Sequence, residues 1–255
     1  MKLYRFAHEG RPVYGELRED RLFLIQGSIF GEFEAGRESR PIGEVTLLPP
    51  VEPSKIVAVG VNYRDHALER GRGLPAEPLL FLKPPSAVIG PNDTILYPRM
   101  SQRVDFEGEL AVVIKRTARQ LDDRAPVGDH ILGYTCFNDV TARDLQDKDV
   151  QFTRAKSFDT FAAMGPCLVT DLDPSDVPIK TFLNGKLRQS SSTRNLIFPV
   201  PDLIRFISRI MTLYPGDVVT TGTPAGIGPM QPGDKVDVQI EGIGTLSNTV
   251  MRVRE

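Results

Sequence analysis

The chain has 255 residues, 40% of them hydrophobic, so it can bury a sizeable core in one large domain or in one domain with a small appendage. Its 31 basic residues nearly balance its 33 acidic residues, and its pI is near 6.0. Because the chain lacks a basic run, nucleic acid and anionic membranes are excluded as main partners, and a small soluble substrate is expected. The N-terminus lacks the apolar core of a signal peptide, and no stretch has the roughly 20 apolar residues of a membrane span, so a cytosolic protein is expected.

The predicted elements begin with a small antiparallel β unit at residues 1–48, where short apolar runs alternate with turn signals. Prolines at 49, 50 and 53 end this unit, and residues 49–255 form the larger predicted domain. In that domain, residues 55–61 have the length and composition of a buried strand, and residues 62–70 predict a turn into a short helix. Further strands are predicted at residues 79–83, 109–115, 131–137, 165–170, 218–221 and 235–240.

Only one helix is strongly periodic, at about residues 201–213, where apolar residues recur at helical spacing. The 22 Gly and 21 Pro residues, with Pro-Gly-Asp turns at 215–217 and 232–234, indicate a turn-rich architecture. Rossmann folds and TIM barrels need a helix after nearly every strand, so both are disfavoured. We therefore predict a strand-dominated α+β fold with few helices.

An acidic segment, Asp-Phe-Glu-Gly-Glu at residues 105–109, runs directly into a predicted apolar strand. Side chains alternate along a strand, so Asp105, Glu107 and Glu109 are predicted to share one face. Neighbouring carboxylates repel, and a hard cation such as Mg²⁺ would turn that repulsion into ligation. The alternative is a solvated strand end.

A candidate catalytic pair is His66 with Glu69, which would lie on the same face of one helical turn. A carboxylate that bonds one ring nitrogen orients the imidazole and leaves the other nitrogen free to take a proton. The alternative is an ordinary exposed His/Glu pair. Asp139, at the end of a predicted strand, could either cap the following helix or face a cation.

Three further features could contact a substrate. Arg143 and Gln146, spaced i,i+3, would share a helix face, where the guanidinium could clamp a carboxylate, or it could form a surface ion pair with a neighbouring aspartate. Lys156 could be solvated or could reach a developing oxyanion. The glycine-rich loop at residues 220–228 lacks the ending of a phosphate-binding P-loop, and its hydroxyl and N–H groups could hold a carboxylate or form a plain turn.

Five motifs in chain order resemble the fumarylacetoacetate hydrolase family over about residues 54–250. They are Asn-Tyr-Arg-Asp-His at 62–66 with Glu69, the acidic segment at 105–109, the stretch 133–146, Lys-Ser-Phe-Asp at 156–159, and Thr-Gly-Thr-Pro at 221–224. The resemblance implies a mixed β-sandwich roll with a Mg²⁺ or Mn²⁺ site, a 2-oxo or diketo acid as substrate, and a homodimer.

The resemblance also implies a role for each matching residue. Glu107, Glu109 and Asp139 match the family's metal ligands, and His66 with Glu69 matches its water-activating pair. The matches at the substrate are Lys156, Arg143, Gln146 and Thr223, the last of which receives a substrate carboxylate. Asn62 stands near the place of a further acidic ligand in larger members.

The leading expectation is a metal-dependent enzyme of aromatic catabolism that resembles 2-hydroxyhepta-2,4-diene-1,7-dioate isomerase or a related decarboxylase. The first alternative is a carbon–carbon hydrolase of acylpyruvate or fumarylpyruvate type, which would depend on His66 and Glu69. The second is a metal-stabilised binding protein without turnover. The turn-rich segment 69–76 is predicted to be a mobile lid that carries the pair.

Overall fold

The computed structural model describes residues 1–69, 71 and 73–253. Residues 70 and 72 of the predicted lid, and residues 254–255 at the end of the larger domain, lie outside the described residues. The strands are β1 (Lys2–His8), β2 (Arg11–Arg18), β3 (Arg21–Gly27), β4 (Phe33–Pro41), β5 (Ile56–Val59), β6 (Leu80–Lys83), β7 (Val88–Ile89), β8 (Thr94–Tyr97), β9 (Val104–Phe106), β10 (Gly108–Ile114), β11 (Ile131–Asp139), β12 (Thr141–Ala142), β13 (Ala162–Val169), β14 (Pro178–Leu183), β15 (Lys186–Ser192), β16 (Val218–Thr220), β17 (Gly228–Met230), β18 (Lys235–Ile240) and β19 (Gly244–Arg252). The α-helices are α1 (Arg64–Glu69), α2 (Arg143–Lys148), α3 (Thr153–Lys156) and α4 (Val200–Ile210).

The strand-dominated fold class is confirmed, and every strand predicted in the larger domain is present. The predicted helix at 201–213 is also present, but α4 ends at Ile210, because Met211 takes an extended conformation and Leu213 forms a β-bridge with Ala118. Within the part of the chain that the structure describes, none of the helices is both long and apolar enough to cross a bilayer.

The described residues form three sheets. The largest has the strand order β4-β3-β2-β1-β13-β11-β10-β16-β5-β6, with β7 added beside β13. A five-stranded sheet runs β15-β14-β18-β19-β8, and a three-stranded sheet runs β12-β9-β17. The antiparallel strands β1 to β4 continue the largest sheet through the pairing of β1 with β13.

The central strand β10 shows how the core is arranged. Leu110, Val112 and Ile114 belong to one buried cluster, which α4 also joins, while Ala111 and Val113 belong to a second cluster. Alternate side chains of a strand point to opposite faces, so the largest sheet is covered on both sides. The two cysteines, Cys136 and Cys167, are free and buried.

The acidic segment is not one continuous strand, and the prediction that its three carboxylates share a face is wrong for Asp105. β9 ends at Phe106 and β10 begins at Gly108, so Glu107 lies between two strands of different sheets. The backbone at Gly108 packs closely against Thr181, since a Cβ at position 108 would lie 2.1 Å from the hydroxyl oxygen of Thr181. The break ends the period-2 alternation, and Asp105 pairs with Arg103 and Arg143 and is not part of the acidic group of Glu107, Glu109 and Asp139.

Candidate active site

Three carboxylates from separate positions in the chain meet beneath a cavity. Glu109 lies near the start of β10, Asp139 ends the neighbouring β11, and Glu107 precedes β10. The Asp139 N–H donates to the Glu107 carbonyl at 2.9 Å, which holds the two strand ends together. One carboxylate oxygen from each residue lies within 4.8 Å of the others, and all three side chains are buried.

Cationic groups surround two of these carboxylates. Lys156 Nζ lies 2.9 Å from Glu107 Oε2 and 2.6 Å from Asp139 Oδ2. Arg143 Nη2 donates to Glu107 Oε1, and Lys83 Nζ donates to Asp139 Oδ1. Such charge-assisted hydrogen bonds are the strong ones in a buried environment.

The third carboxylate, Glu109, has a different environment. Its Oε2 accepts the N–H of Gly222 at 2.9 Å, and Gly222 has a positive φ of 88° that favours glycine. Burial, together with the charges of Asp139 and Glu107, raises the pKa of Glu109 well above its usual 4.5. Burial would also raise the pKa of Glu107, but the charges of Lys156 and Arg143 outweigh it and lower that pKa.

This donor set suits a divalent metal ion. Carboxylate oxygens are the ligands that hard cations such as Mg²⁺ and Mn²⁺ prefer, and three of them converge here in a buried position. Burial and then the repulsion from Asp139 and Glu107 raise the pKa of Glu109, and a cation would relieve that repulsion. The residues present therefore fit a divalent cation, with Glu107, Glu109 and Asp139 as its protein ligands.

The predicted pair of His66 and Glu69 is formed. His66 Nδ1 lies 3.0 Å from Glu69 Oε2, and the imidazole is buried, which makes an ordinary exposed pair the wrong alternative for the histidine. Glu69 Oε1 also accepts the Gly226 N–H at 3.1 Å. In the neutral imidazole, an Nδ1 proton donated to this carboxylate leaves Nε2 as the ring nitrogen that can accept a proton.

Arg143 is buried rather than paired at the surface, so the surface alternative is wrong. Its Nε donates to Asp105 Oδ2 at 2.9 Å, its Nη2 to Glu107, and its Nη1 to Gln146 Oε1. Each guanidinium nitrogen therefore already donates to a protein oxygen. Arg143 organises the carboxylates and presents the amide of Gln146; its predicted clamp on a substrate carboxylate stays a prediction.

Asp139 does not cap a helix. The N-cap of α2 is Ala142, without a side-chain hydrogen bond, and both Asp139 oxygens accept from lysines.

Thr223, predicted to receive a substrate carboxylate, donates its hydroxyl to the Gly108 carbonyl at 2.9 Å and accepts from Gln189 at 2.7 Å. The donor left on Thr223 is its backbone N–H, so its predicted role would use that group.

A cavity of about 300 Å³ opens above these groups. Six predicted site residues line it: His66, Glu107, Arg143, Gln146, Lys156 and Thr223. Phe81 and Phe152 form an apolar wall, with ring centroids 5.7 Å apart in an edge-to-face arrangement. Lys156 Nζ lies 4.9 Å from the centre of the Phe81 ring, within cation–π range.

Sequence reasoning missed Lys83, and it did not decide whether Asn62 takes the place of a further metal ligand. Lys83 is fully buried at the end of β6, and burial lowers its pKa to about 8 against the opposing charge of Asp139. The signal in the sequence was a lysine inside the apolar run Leu-Phe-Leu-Lys at residues 80–83.

The Asn62 side chain bonds the Thr221 carbonyl at 2.8 Å and both backbone groups of Phe198, so it braces two segments and is not a metal ligand.

The family model described as Fumarylacetoacetate (FAA) hydrolase C-terminal matches residues 55–251, and a model described as Rv2993c-like, N-terminal matches residues 1–50. The structure resembles 2-hydroxyhepta-2,4-diene-1,7-dioate isomerase from Mycobacterium marinum, with 43% identity, a TM-score of 0.92 and full coverage of both chains. Oxaloacetate tautomerase YisK of Bacillus subtilis is 42% identical over 85% of this chain and 77% of the relative. Maleylpyruvate hydrolase from Sphingobium sp. SYK-6, solved with manganese(II) and pyruvate, is 29% identical, with a TM-score of 0.83 and full coverage of both chains.

The chain belongs to the fumarylacetoacetate hydrolase family, and it has the fold of that family's enzymes. The resemblance noted from the five motifs is confirmed. The relatives include an isomerase, a tautomerase and a hydrolase, so membership defines the class of enzyme and leaves the reaction open.

Proposed function

We propose that this enzyme uses a divalent cation, Mg²⁺ or Mn²⁺, to isomerise or decarboxylate a small 2-oxo acid or its 2-hydroxydienoate form. The leading reaction is that of 2-hydroxyhepta-2,4-diene-1,7-dioate isomerase or a related decarboxylase. The observation that carries the proposal is the buried triad of Glu107, Glu109 and Asp139 beside the cavity that also contains His66 and Lys156. Similarity to a named isomerase and to an oxaloacetate tautomerase supports it.

The charges around the triad favour a dianionic reacting species. Four carboxylates contact or neighbour four cationic side chains, so their charges cancel when all are ionised; these groups are Asp105, Glu107, Glu109 and Asp139 with Arg103, Arg143, Lys83 and Lys156. A divalent cation would leave an excess of two positive charges among these eight groups. The enolate of a 2-oxo carboxylate has two negative charges, whereas the keto form has one, so the site favours the enolate.

When bound, the cation would act as a Lewis acid toward the carboxylate and 2-oxo oxygens of the substrate. The protein side chains would stabilise the developing charge, transfer the proton and bind the substrate. Lys156 lines the cavity between Glu107 and Asp139, where its ammonium group can share the negative charge that develops on the substrate. Nε2 of His66, with Nδ1 bonded to Glu69, can take a proton from carbon and return it to another carbon. Gln146, whose oxygen accepts from Arg143, keeps its amide N–H groups for the substrate.

A substrate panel tests this proposal. Chelated enzyme and enzyme loaded with Mg²⁺ or Mn²⁺ are assayed with 2-hydroxyhepta-2,4-diene-1,7-dioate, the enol form of oxaloacetate, and an acylpyruvate, with product analysis by NMR. We expect metal-dependent isomerisation, ketonisation or carbon dioxide release without cleavage of the acylpyruvate. Full turnover in the presence of chelator would contradict the metal role, and cleavage of the acylpyruvate alone would contradict the leading reaction.

A second candidate is carbon–carbon hydrolysis of an acylpyruvate or fumarylpyruvate. The buried His66–Glu69 pair favours it, because a base oriented in this way can activate a water molecule as well as take a proton from carbon. Similarity to maleylpyruvate hydrolase supports it as well. Membership of an enzyme family argues against the third alternative, a binding protein without turnover.

We also propose a cytosolic homodimer that acts in the catabolism of aromatic compounds; the assembly and the catabolic role depend on the family resemblance alone. Size-exclusion chromatography with light scattering tests the assembly, and we expect twice the 28.3 kDa mass of one chain. A monomer at working concentration would contradict it.

A further inference from the structure

Asp139 is held by two lysines of different kinds. Lys156 reaches its Oδ2 from the side of the cavity and forms part of the cavity wall. Lys83 reaches its Oδ1 from within the protein, is fully buried and is not part of that wall. The two oxygens of this carboxylate therefore face different surroundings.

The position of Lys83 is fixed by more than the carboxylate. Its Nζ also donates to the Val140 carbonyl at 3.1 Å, and its backbone is paired opposite Ile56 at the edge of the largest sheet. An ammonium group anchored by a backbone oxygen and by β pairing has little freedom to leave Asp139. Oδ1 therefore keeps its hydrogen bond to Lys83, whereas the hydrogen bond to Oδ2 comes from Lys156, which lines the cavity.

A carboxylate can bind a divalent cation through one oxygen or through both. We propose that Lys83 is a positioning residue that holds Asp139 as a one-oxygen ligand, so that the cation keeps open positions for the two oxygens of a 2-oxo acid. This inference rests on the proposed metal site. It adds a function for a residue that touches neither the cavity nor the substrate.

The proposal predicts how many water molecules the bound cation keeps. An octahedral cation with one oxygen from each of Glu107, Glu109 and Asp139 keeps about three water molecules. If Lys83 were removed, Oδ1 of Asp139 would be free to bind as well, and about two water molecules would remain. A 2-oxo acid that needs two adjacent positions would then bind less well.

The experiment counts the water molecules bound to Mn²⁺ in the full-length protein by electron–nuclear double resonance in ¹⁷O-labelled water. We expect about three in the wild type and about two in Lys83→Met, together with a loss of oxalate affinity of roughly tenfold in the Mn²⁺-loaded variant. Lys55→Met is the matched control, because Lys55 pairs with buried Asp217, which is not a residue of the triad or of the cavity wall. This control should bind as many water molecules as the wild type.

If Lys83→Met fails to fold, the water count of the wild type still tests whether Asp139 binds the cation through one oxygen. Fewer than about three water molecules on its Mn²⁺ would overturn the inference while leaving the metal site intact. An unchanged count and unchanged oxalate affinity in a folded Lys83→Met protein would do the same. Failure of the wild type to bind Mn²⁺ at all would instead overturn the proposed metal site, and this inference with it.

Discussion

The carboxylate triad and the His66–Glu69 pair lie at one cavity but are built in opposite ways. Glu109 and Asp139 belong to adjacent central strands of the largest sheet, and their side chains are about 1% exposed. The pair belongs to the six-residue helix α1, and the Glu69 side chain is 40% exposed. The proposed metal-binding half is thus part of the core, whereas the half proposed to transfer protons lies at its edge.

A few hydrogen bonds hold that edge in place. Asp65 of α1 accepts from the Ser191 hydroxyl at 3.0 Å on β15, and Glu69 accepts from the Gly226 N–H. Asn62, just before α1, braces the backbone at Phe198 and Thr221. The comparison teaches that a buried acidic triad can be combined with a candidate base on a short helix at the edge of the core. Such a division is consistent with an isomerase, a tautomerase and a hydrolase sharing one fold.

The largest effect is expected from removing a charge of the triad. Glu109 has no cationic partner among its hydrogen bonds in the structure as described, so Glu109→Gln removes a proposed metal ligand without leaving a cation unpaired. We expect Mn²⁺ affinity to fall at least about 100-fold and turnover by about 10⁴-fold, while the chelated protein stays folded. Calorimetric titration and the substrate panel measure these changes.

Glu107→Gln is the matched comparison, because it weakens the acceptor of both Arg143 and Lys156. It should lose the metal and also destabilise the fold by about 3 kcal/mol, since buried cations are left incompletely paired. Equal unfolding midpoints for the two variants would contradict the charge arrangement described here.

The next effect concerns the base. His66→Ala should lower turnover by about 10² to 10⁴-fold with Mn²⁺ affinity within about twofold of the wild type, because the imidazole handles protons and is not a proposed ligand. Metal titration beside steady-state kinetics separates the two quantities. A parallel loss of metal affinity would mean that the two halves of the site are not independent.

A smaller effect is expected on stability against pH in the chelated protein. Folding raises the pKa of Glu109 above 4.5, so the native state keeps this proton when the unfolded chain has lost it. The contribution is complete below pH 4.5 and is lost as pH rises toward the native pKa. The wild type should therefore lose up to about 1.4 kcal/mol per pH unit relative to Glu109→Gln. Urea unfolding at several values from about pH 5 to about pH 7 measures it, and a pH-independent difference would refute it.

The smallest effect is expected at the apolar wall. Phe152→Leu keeps a hydrophobic side chain but removes the edge-to-face contact with Phe81, which is worth about 1 kcal/mol. We expect KM to rise about fivefold for a conjugated dienoate and to stay unchanged for pyruvate-sized acids, with kcat preserved. Equal changes for long and short substrates would show that this wall does not contact the substrate chain.

Sequence reasoning predicted the strands of the larger domain and, through the order of five motifs, the residues that meet at the cavity. Local periodicity alone failed at Asp105, because a strand break at Glu107 places the neighbouring carboxylates in different sheets. Arg143 was recognised by its motif, yet its burial between Asp105 and Glu107 depends on strand pairing that no local pattern contains.

The contact of Lys83 with Asp139 is a second tertiary contact that no local sequence pattern contains. Lys83 lies 56 residues before Asp139, and the two side chains meet only in the folded chain. A lysine in an apolar strand signals a buried partner, because an unpaired buried charge is costly. The identity of that partner requires the tertiary structure.

The most direct test is a crystal structure of the protein grown with Mn²⁺ and oxalate, with anomalous scattering used to locate the metal. The account predicts one manganese ion about 2.1 Å from a single oxygen of each of Glu107, Glu109 and Asp139, with oxalate facing His66. An anomalous peak elsewhere, or none at saturating Mn²⁺, would contradict it.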